Sequence, residues 1–210
     1  MTAERIRSSS VQELGRRERK KLATRRALEE SAMRLFTEKG FDGTTVEEIA
    51  DAADVSARTF FRYFATKDEV LFGDHEPRLE TMRELLADRP ADEPLMTSLE
   101  VLLRSLGDTL VANRDRVLVQ SEVATTRVQI LGLFRQHQEE MNEVIATFVA
   151  TRMSGTGQVR MRARVVASAA MGAYLAASRE WLRSAGTEDM SGLIDEALEA
   201  LRNVLVAEPV

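Results

Sequence analysis

The 210-residue sequence contains no cysteine, which excludes disulfides, thiolate zinc sites and cysteine nucleophiles together. Histidine is almost as scarce: His75 and His137 are the only two, too far apart in sequence to read as a metal-ligand pair. No uncharged apolar run reaches the ~18 residues of a membrane span; the longest candidate, 165–177, falls short. Met1, Thr2, Ala3, Glu4 and Arg5 open no apolar stretch of the signal-peptide kind, so a cytoplasmic location is expected and no membrane partner. No run alternates with period two, and no internal repeat of ~20–50 residues is present. A Gly-rich phosphate loop and a His-centred nucleophile arrangement are lacking as well. These absences argue against an enzyme, and no cofactor or metal is expected.

What remains is an ordinary globular composition, 44% apolar and 30% charged, with an uneven charge. The net charge is −5. Residues 1–67 carry 14 Lys and Arg against 11 Asp and Glu, whereas 68–210 carry 15 against 23. A basic end on an acidic body points to a polyanionic partner for the N-terminal part, or to a solvated charged tail.

The pattern along the chain is helical throughout. Residues 1–15 are polar and read as a disordered tail. A basic run then leads into a helix over 17–39, whose stripe is Leu22, Leu28, Ala32, Leu35 and Phe36, with Gly40 just past its end. Thr45 with Glu48 forms a capping box for a second helix carrying Val46, Ile49, Ala50 and Ala53. Ala53, Asp54 and Val55 form a break, and Ser56 caps a third segment in which Phe60 and Phe64 share one face. Two short helices joined by a tight turn, the second with a polar and aromatic outer face, form the helix-turn-helix pattern. A fourth helix is expected from Thr66 through Leu86, with a kink or a break near His75 and Glu76 because Pro77 sits inside its pattern. Further helices are expected over 95–113, 115–124, 127–152, 158–184 and 191–206. The fold class is therefore all-α with about nine helices. A helix-turn-helix domain at 16–66 follows the tail of 1–15 and precedes a larger helical domain at 67–210.

The residues Leu35 to Phe41, Thr44 to Ala50, Val55 to Phe64 and Lys67 together resemble the DNA-binding domain of the TetR family of bacterial transcriptional regulators. The resemblance covers about residues 20–70. The Phe60-Phe61-Arg62-Tyr63-Phe64 variant is similar to a subgroup that includes the mycofactocin-system regulator and relatives that sense long-chain acyl-CoA. Two positions depart from the family pattern. Asp54 stands where glycine is usual, and Phe61 where a tyrosine hydroxyl commonly meets a phosphate. Asp tolerates a left-handed backbone better than most residues, so the turn is expected to survive.

The resemblance implies double-stranded DNA as partner, a homodimer through the last two helices, and a small-molecule effector, in one version a long-chain acyl-CoA, that releases a repressor from a palindromic operator. Candidate DNA contacts are Ser56, Arg58, Thr59, Arg62 and Tyr63 on the third helix. Thr45 and Lys67 follow the family's phosphate-clamp positions, and Arg17, Lys20 and Lys21 lie in the basic run. Arg58 sits where a guanidinium can read guanine O6 and N7, or else it is a phosphate contact or a solvated side chain. Leu102, Leu106, Phe134, His137, Met141, Ile145, Phe148, Met171 and Tyr174 are candidates to line an effector pocket; taken singly, the apolar and aromatic ones read first as plain core, and His137 equally as part of the solvated face of its helix. The alternative to the whole reading is a helical protein-interaction module without sequence-specific DNA binding.

Overall fold

The structure, a computed structural model, describes residues 15–73, 75–153 and 158–206. The described residues are helical, with loops and turns and no strand. They form two compact units, one up to Gly73 and one from residue 74 onward. Most of the tail expected at 1–15 lies outside the described residues.

The first unit holds α1 (Arg16–Lys39), α2 (Val46–Ala52), α3 (Ala57–Tyr63) and α4 (Lys67–Phe72). Two of these helices have seven residues and one has six, well below the ~12–15 at which an isolated helix becomes marginal in water. Packing has to stabilise them. Leu28, Ala32, Leu35 and Phe36 of α1 meet Ile49 and Ala50 of α2, Phe60 of α3, Phe64, and Val70 and Leu71 of α4 in the buried interior. The Phe36 and Phe41 rings stand 4.9 Å apart across the end of α1.

The turn between α2 and α3 is a Schellman motif. The N–H of Asp54 donates to the Asp51 carbonyl at 3.1 Å, and that of Val55 to the Ala50 carbonyl at 2.9 Å. The motif requires a left-handed residue at Asp54, and its φ is 54°. The departure from glycine is thus accommodated, at the conformational cost of a side chain in that region.

The second unit holds α5 (His75–Ala87), α6 (Leu95–Ala112), α7 (Arg114–Thr126), α8 (Val128–Arg152), α9 (Val159–Arg183) and α10 (Met190–Val206). α9 packs on α8 and on α10, α10 packs on α6, and α5 packs on α8. One apolar cluster joins Leu79, Met82, Leu102, Ile145, Ala167 and Ile194, with the fully buried Trp181 near the end of α9. Small residues bring the helices close. At Gly107 an added Cβ would lie 2.6 Å from Ile194 Cδ1 and 3.2 Å from Met190 Cγ, so α6 and α10 touch there with no room for a side chain. The loop before α6 is held by Arg152, whose guanidinium donates to the carbonyls of Arg89 and Ala91 at 2.9 Å each. An ion pair between Arg89 and Glu93 adds to this.

Of the kink or break expected near His75 and Glu76, the structure has the break: the segment after Thr66 forms two helices, α4 and α5, interrupted at Gly73. Gly73 has φ 66°, a value that favours glycine. Pro77 lies in the first turn of α5, where a missing N–H costs nothing.

Because Asp54 carries a left-handed backbone, Asp54→Gly is expected to be neutral or to stabilise α2 and α3 by up to about 1 kcal/mol, and Asp54→Val to destabilise them by about 1–2 kcal/mol. Amide exchange of α2 and α3 measures this directly: protection should rise or hold in the first variant and fall about tenfold in the second.

Candidate nucleic-acid interface

The seven residues of α3 divide cleanly. Phe60 is fully buried, and Phe64 just beyond the helix is buried beside it, with ring centroids 5.5 Å apart. Arg58, Phe61 and Arg62 are exposed on the other side, and Thr59 and Tyr63 are half-buried at its edges. Phe61 is 55% exposed, unusual for a ring of that size on so short a helix. Arg58 and Arg62 are one turn apart, so the outer face is a cation–phenyl–cation ridge. Its groups can hydrogen-bond base edges or phosphates and offer apolar contact to a thymine methyl.

The helix start is closed by its own side chains. Ser56 Oγ accepts from the Thr59 N–H at 3.2 Å and lies 3.0 Å from Thr59 Oγ1, so both candidate hydroxyls are engaged with each other. The helix end is tied to α1. Arg25 donates to the Tyr63 carbonyl at 3.2 Å, lies over the Phe64 ring at 4.4 Å and pairs with Glu29 at 3.3 Å. The Arg62 guanidinium lies 5.1 Å from the Tyr63 ring centroid.

Thr45 caps α2 through the complete capping box expected from sequence. The Thr45 N–H donates to Glu48 Oε2 at 2.9 Å, and the Glu48 N–H to Thr45 Oγ1 at 3.2 Å. The Glu48 carboxyl is pulled down to about 2 by Lys39, 2.6 Å away, and by the Thr45 N–H. A phosphate at this helix start therefore meets the remaining first-turn N–H groups rather than that of Thr45.

Lys67 has a second duty. Its Nζ donates to the carbonyls of Phe41 and Thr44 at 2.6 and 2.7 Å and lies 4.3 Å from the centre of the Phe41 ring. Burial pushes its pKa below the ordinary lysine value. Two of three ammonium hydrogens hold the loop before α2, leaving one for an anion. Buried Thr44 locks the same loop, donating to the Gly40 carbonyl at 2.9 Å. Arg17, Lys20 and Lys21 are exposed along the first turns of α1. Arg25, Lys39 and Thr44 were not among the residues singled out from sequence; each acts through partners that no local pattern reveals.

In the second unit, Leu102, Leu106, Met141, Ile145 and Met171 are buried in one apolar cluster, with Phe148 and Tyr174 packed against it. Phe134 and His137 are half-buried on α8. The fold brings the two distant histidines together: the His75 and His137 rings stack with centroids 3.7 Å apart and planes 12° apart. Burial, and then the His75 neighbour, lower the His137 pKa to about 4.

A family model described as bacterial regulatory proteins, tetR family, matches residues 29–72, and one described as the MftR C-terminal domain matches 111–206. The chain is similar to the HTH-type transcriptional regulator TcmR of Streptomyces glaucescens, 32% identical over 92% of this chain and 89% of that protein. It is also similar to MftR of Mycobacterium tuberculosis, 29% identical over 90% and 92%. Among solved structures, Thermus thermophilus FadR, a TetR-family transcriptional repressor in complex with lauroyl-CoA, superposes with TM-score 0.60. It is 23% identical, with 89% of this chain and 97% of that one covered, and it shares the fold.

Two outcomes follow from the geometry of these side chains. Removing the Lys67 clamp by Lys67→Met should destabilise the loop before α2 by about 1–3 kcal/mol, seen as faster amide exchange at residues 43–50. The second outcome concerns acid. The His137 pKa falls from the ordinary 6.5 to about 4 on folding, so the unfolded chain binds the additional proton. Its contribution to stability is complete above about pH 6.5 and declines as pH falls towards 4. Melting temperature should therefore fall as pH is lowered from about 6.5 to 4, and His137→Gln should flatten that dependence.

Proposed function

The chain belongs to the TetR family of bacterial regulatory proteins, and from that premise we propose that it is a ligand-responsive transcriptional repressor. It binds a palindromic operator as a homodimer and leaves it when a small apolar or acyl-type effector occupies the second unit. The observation that carries this reading is the face of α3 opposite the fully buried Phe60, where Arg58, Phe61 and Arg62 are exposed. A helix of this width fits the major groove, where base edges are distinguishable.

On this reading Arg58 reads a guanine through its planar fork. Phe61 packs on a thymine methyl, and Thr59 and Tyr63 reach neighbouring bases or phosphates. Arg62 lies near the end of the helix and meets the backbone. Ser56 and Thr45 bring helix starts to phosphates, and Lys67 contributes its remaining hydrogen. Arg17, Lys20 and Lys21 add salt-dependent affinity more than sequence preference. The DNA target and the absence, among the described residues, of any helix able to cross a membrane favour a cytoplasmic protein.

Two copies are needed to read a palindrome. Met161 and Val165 on α9 are 64% and 59% exposed, and Gly172 and Ala176 are exposed further along. These positions fall on one side of α9 at spacings of four, seven and four residues. An exposed apolar and small-residue stripe of this kind supports pairing through α9, with α10 beside it. The effector reading draws on the apolar cluster between α6, α8 and α9, and on lauroyl-CoA bound to the same fold in the Thermus protein. Release requires that effector bind the DNA-free form more tightly than the DNA-bound form.

A gel shift on DNA flanking the protein's own gene tests the reading. Specific retardation by the dimer is expected, Arg58→Ala should cost about 1–3 kcal/mol and relax preference at one base position, and Lys20→Ala should lower the salt slope by about 1. Absence of any specific retardation with intact dimer would instead favour a protein-interaction module.

A further inference from the structure

The outer face of α3 carries one large apolar side chain, and its setting gives that side chain a chemistry. Phe61 is 55% exposed. A lone exposed apolar residue is ordinary on a protein surface, but this one lies between two exposed cations, Arg58 one turn before it and Arg62 next to it. An edge-to-face contact orients the ring: its centroid is 5.5 Å from that of buried Phe60, with the planes at 84°. The Arg62 guanidinium is turned to the Tyr63 ring, 5.1 Å from its centroid, and Arg58 lies on the N-terminal side of Phe61. The phenyl ring has neither donor nor acceptor, so it forms no hydrogen bond to a base edge or a phosphate.

Spacing decides what the two side chains meet. Three residues of α-helix advance about 4.5 Å, close to the ~3.4 Å of one base step, so with α3 in the major groove Arg58 and Phe61 fall on neighbouring base pairs. The apolar group on the base edges there is the C5 methyl of thymine. Beside it thymine shows an O4 acceptor, where cytosine shows an N4 donor. A side chain that cannot hydrogen-bond does not tell that acceptor from that donor. What the ring senses is the methyl group, whichever pyrimidine carries it.

We propose that Phe61 is a reader of pyrimidine C5 methylation, so that DNA binding responds to a methyl group on the base pair beside the guanine read by Arg58. Thymine and 5-methylcytosine bind alike at that pair, and uracil and unmodified cytosine bind alike and more weakly. A site with cytosine there is a poor operator until its C5 is methylated. The inference rests on the major-groove reading of α3 and adds to it a chemical mark on the DNA to which the protein responds.

The test uses the full-length protein and a fragment that it retards in the gel shift. Footprinting gives the protected sequence, and synthetic duplexes of it carry thymine, uracil, cytosine or 5-methylcytosine at one pyrimidine at a time, with the complementary base opposite. At one position in each half-site, uracil in place of thymine should weaken binding about fourfold, and about fifteenfold with both half-sites changed, the loss expected for one and two buried methyl groups. At that position 5-methylcytosine should bind as thymine does, and cytosine as uracil does. Phe61→Ala should bind all four about equally, and Arg58→Ala should relax the preference for guanine at the adjoining pair. Melting of Phe61→Ala checks its fold, and the four-base comparison in the native protein stands without that variant. No methyl-sensitive position, a preference that survives Phe61→Ala, a difference between thymine and 5-methylcytosine, or a sensitive position that does not adjoin the Arg58-dependent guanine overturns the proposal. An equal loss for all four bases on Phe61→Ala assigns the ring to a wedge between base steps and overturns it too. Specific binding without methyl dependence removes this inference and leaves the operator reading standing, whereas no specific retardation of any fragment removes both.

Discussion

A seven-residue helix cannot hold its own shape in water, and α3 is such a helix. Its geometry depends on burying Phe60 and Phe64 against the rest of the first unit. That one-sided burial leaves the opposite ridge of Arg58, Phe61 and Arg62 in solvent with its backbone already fixed. Pre-organisation of this kind reduces the ordering cost of recognition. The supporting contacts serve the same end. Arg25 holds the carbonyl of Tyr63 and covers Phe64, while Lys67 and Thr44 fix the loop before α2. The Schellman turn at Asp54 then sets the direction in which α3 leaves α2.

The second unit obeys a different constraint. Its long helices bury a continuous apolar cluster, and Gly107 lets α6 and α10 approach to the limit of contact. A core of this sort satisfies its polar groups or excludes them. The ion pair of Arg89 and Glu93 in the same unit does the first. There, Glu93 is held down to about 2 by Arg89 and then by Ser98, and each polar group finds its partner.

Much of this architecture was legible from residue order. The capping box of Thr45 and Glu48, the cap at Ser56 and the faces of α1, α2 and α3 follow from residues no more than a few positions apart, and the structure reproduces each. The break after Thr66 was expected near His75 and Glu76 on account of Pro77, and it falls at Gly73. Proline in the first turn of a helix is harmless, whereas a glycine at positive φ interrupts one. The candidate pocket residues divided into buried core and half-buried edge, a distinction that periodicity does not make, because a buried stripe looks the same whether it faces a ligand or a neighbour.

The sequence by itself determined the all-helical class, the helix-turn-helix and the basic bias of its flank. Those properties rest on local propensity, capping and composition, and local interactions are encoded within one or two turns. Only the tertiary structure decided that Lys67 holds a loop 26 residues earlier and that Arg25 reaches across 38 residues to Tyr63. It alone stacked His75 on His137. Such contacts depend on which helices lie side by side, and packing of whole apolar faces sets that arrangement, not the residues that end up in contact.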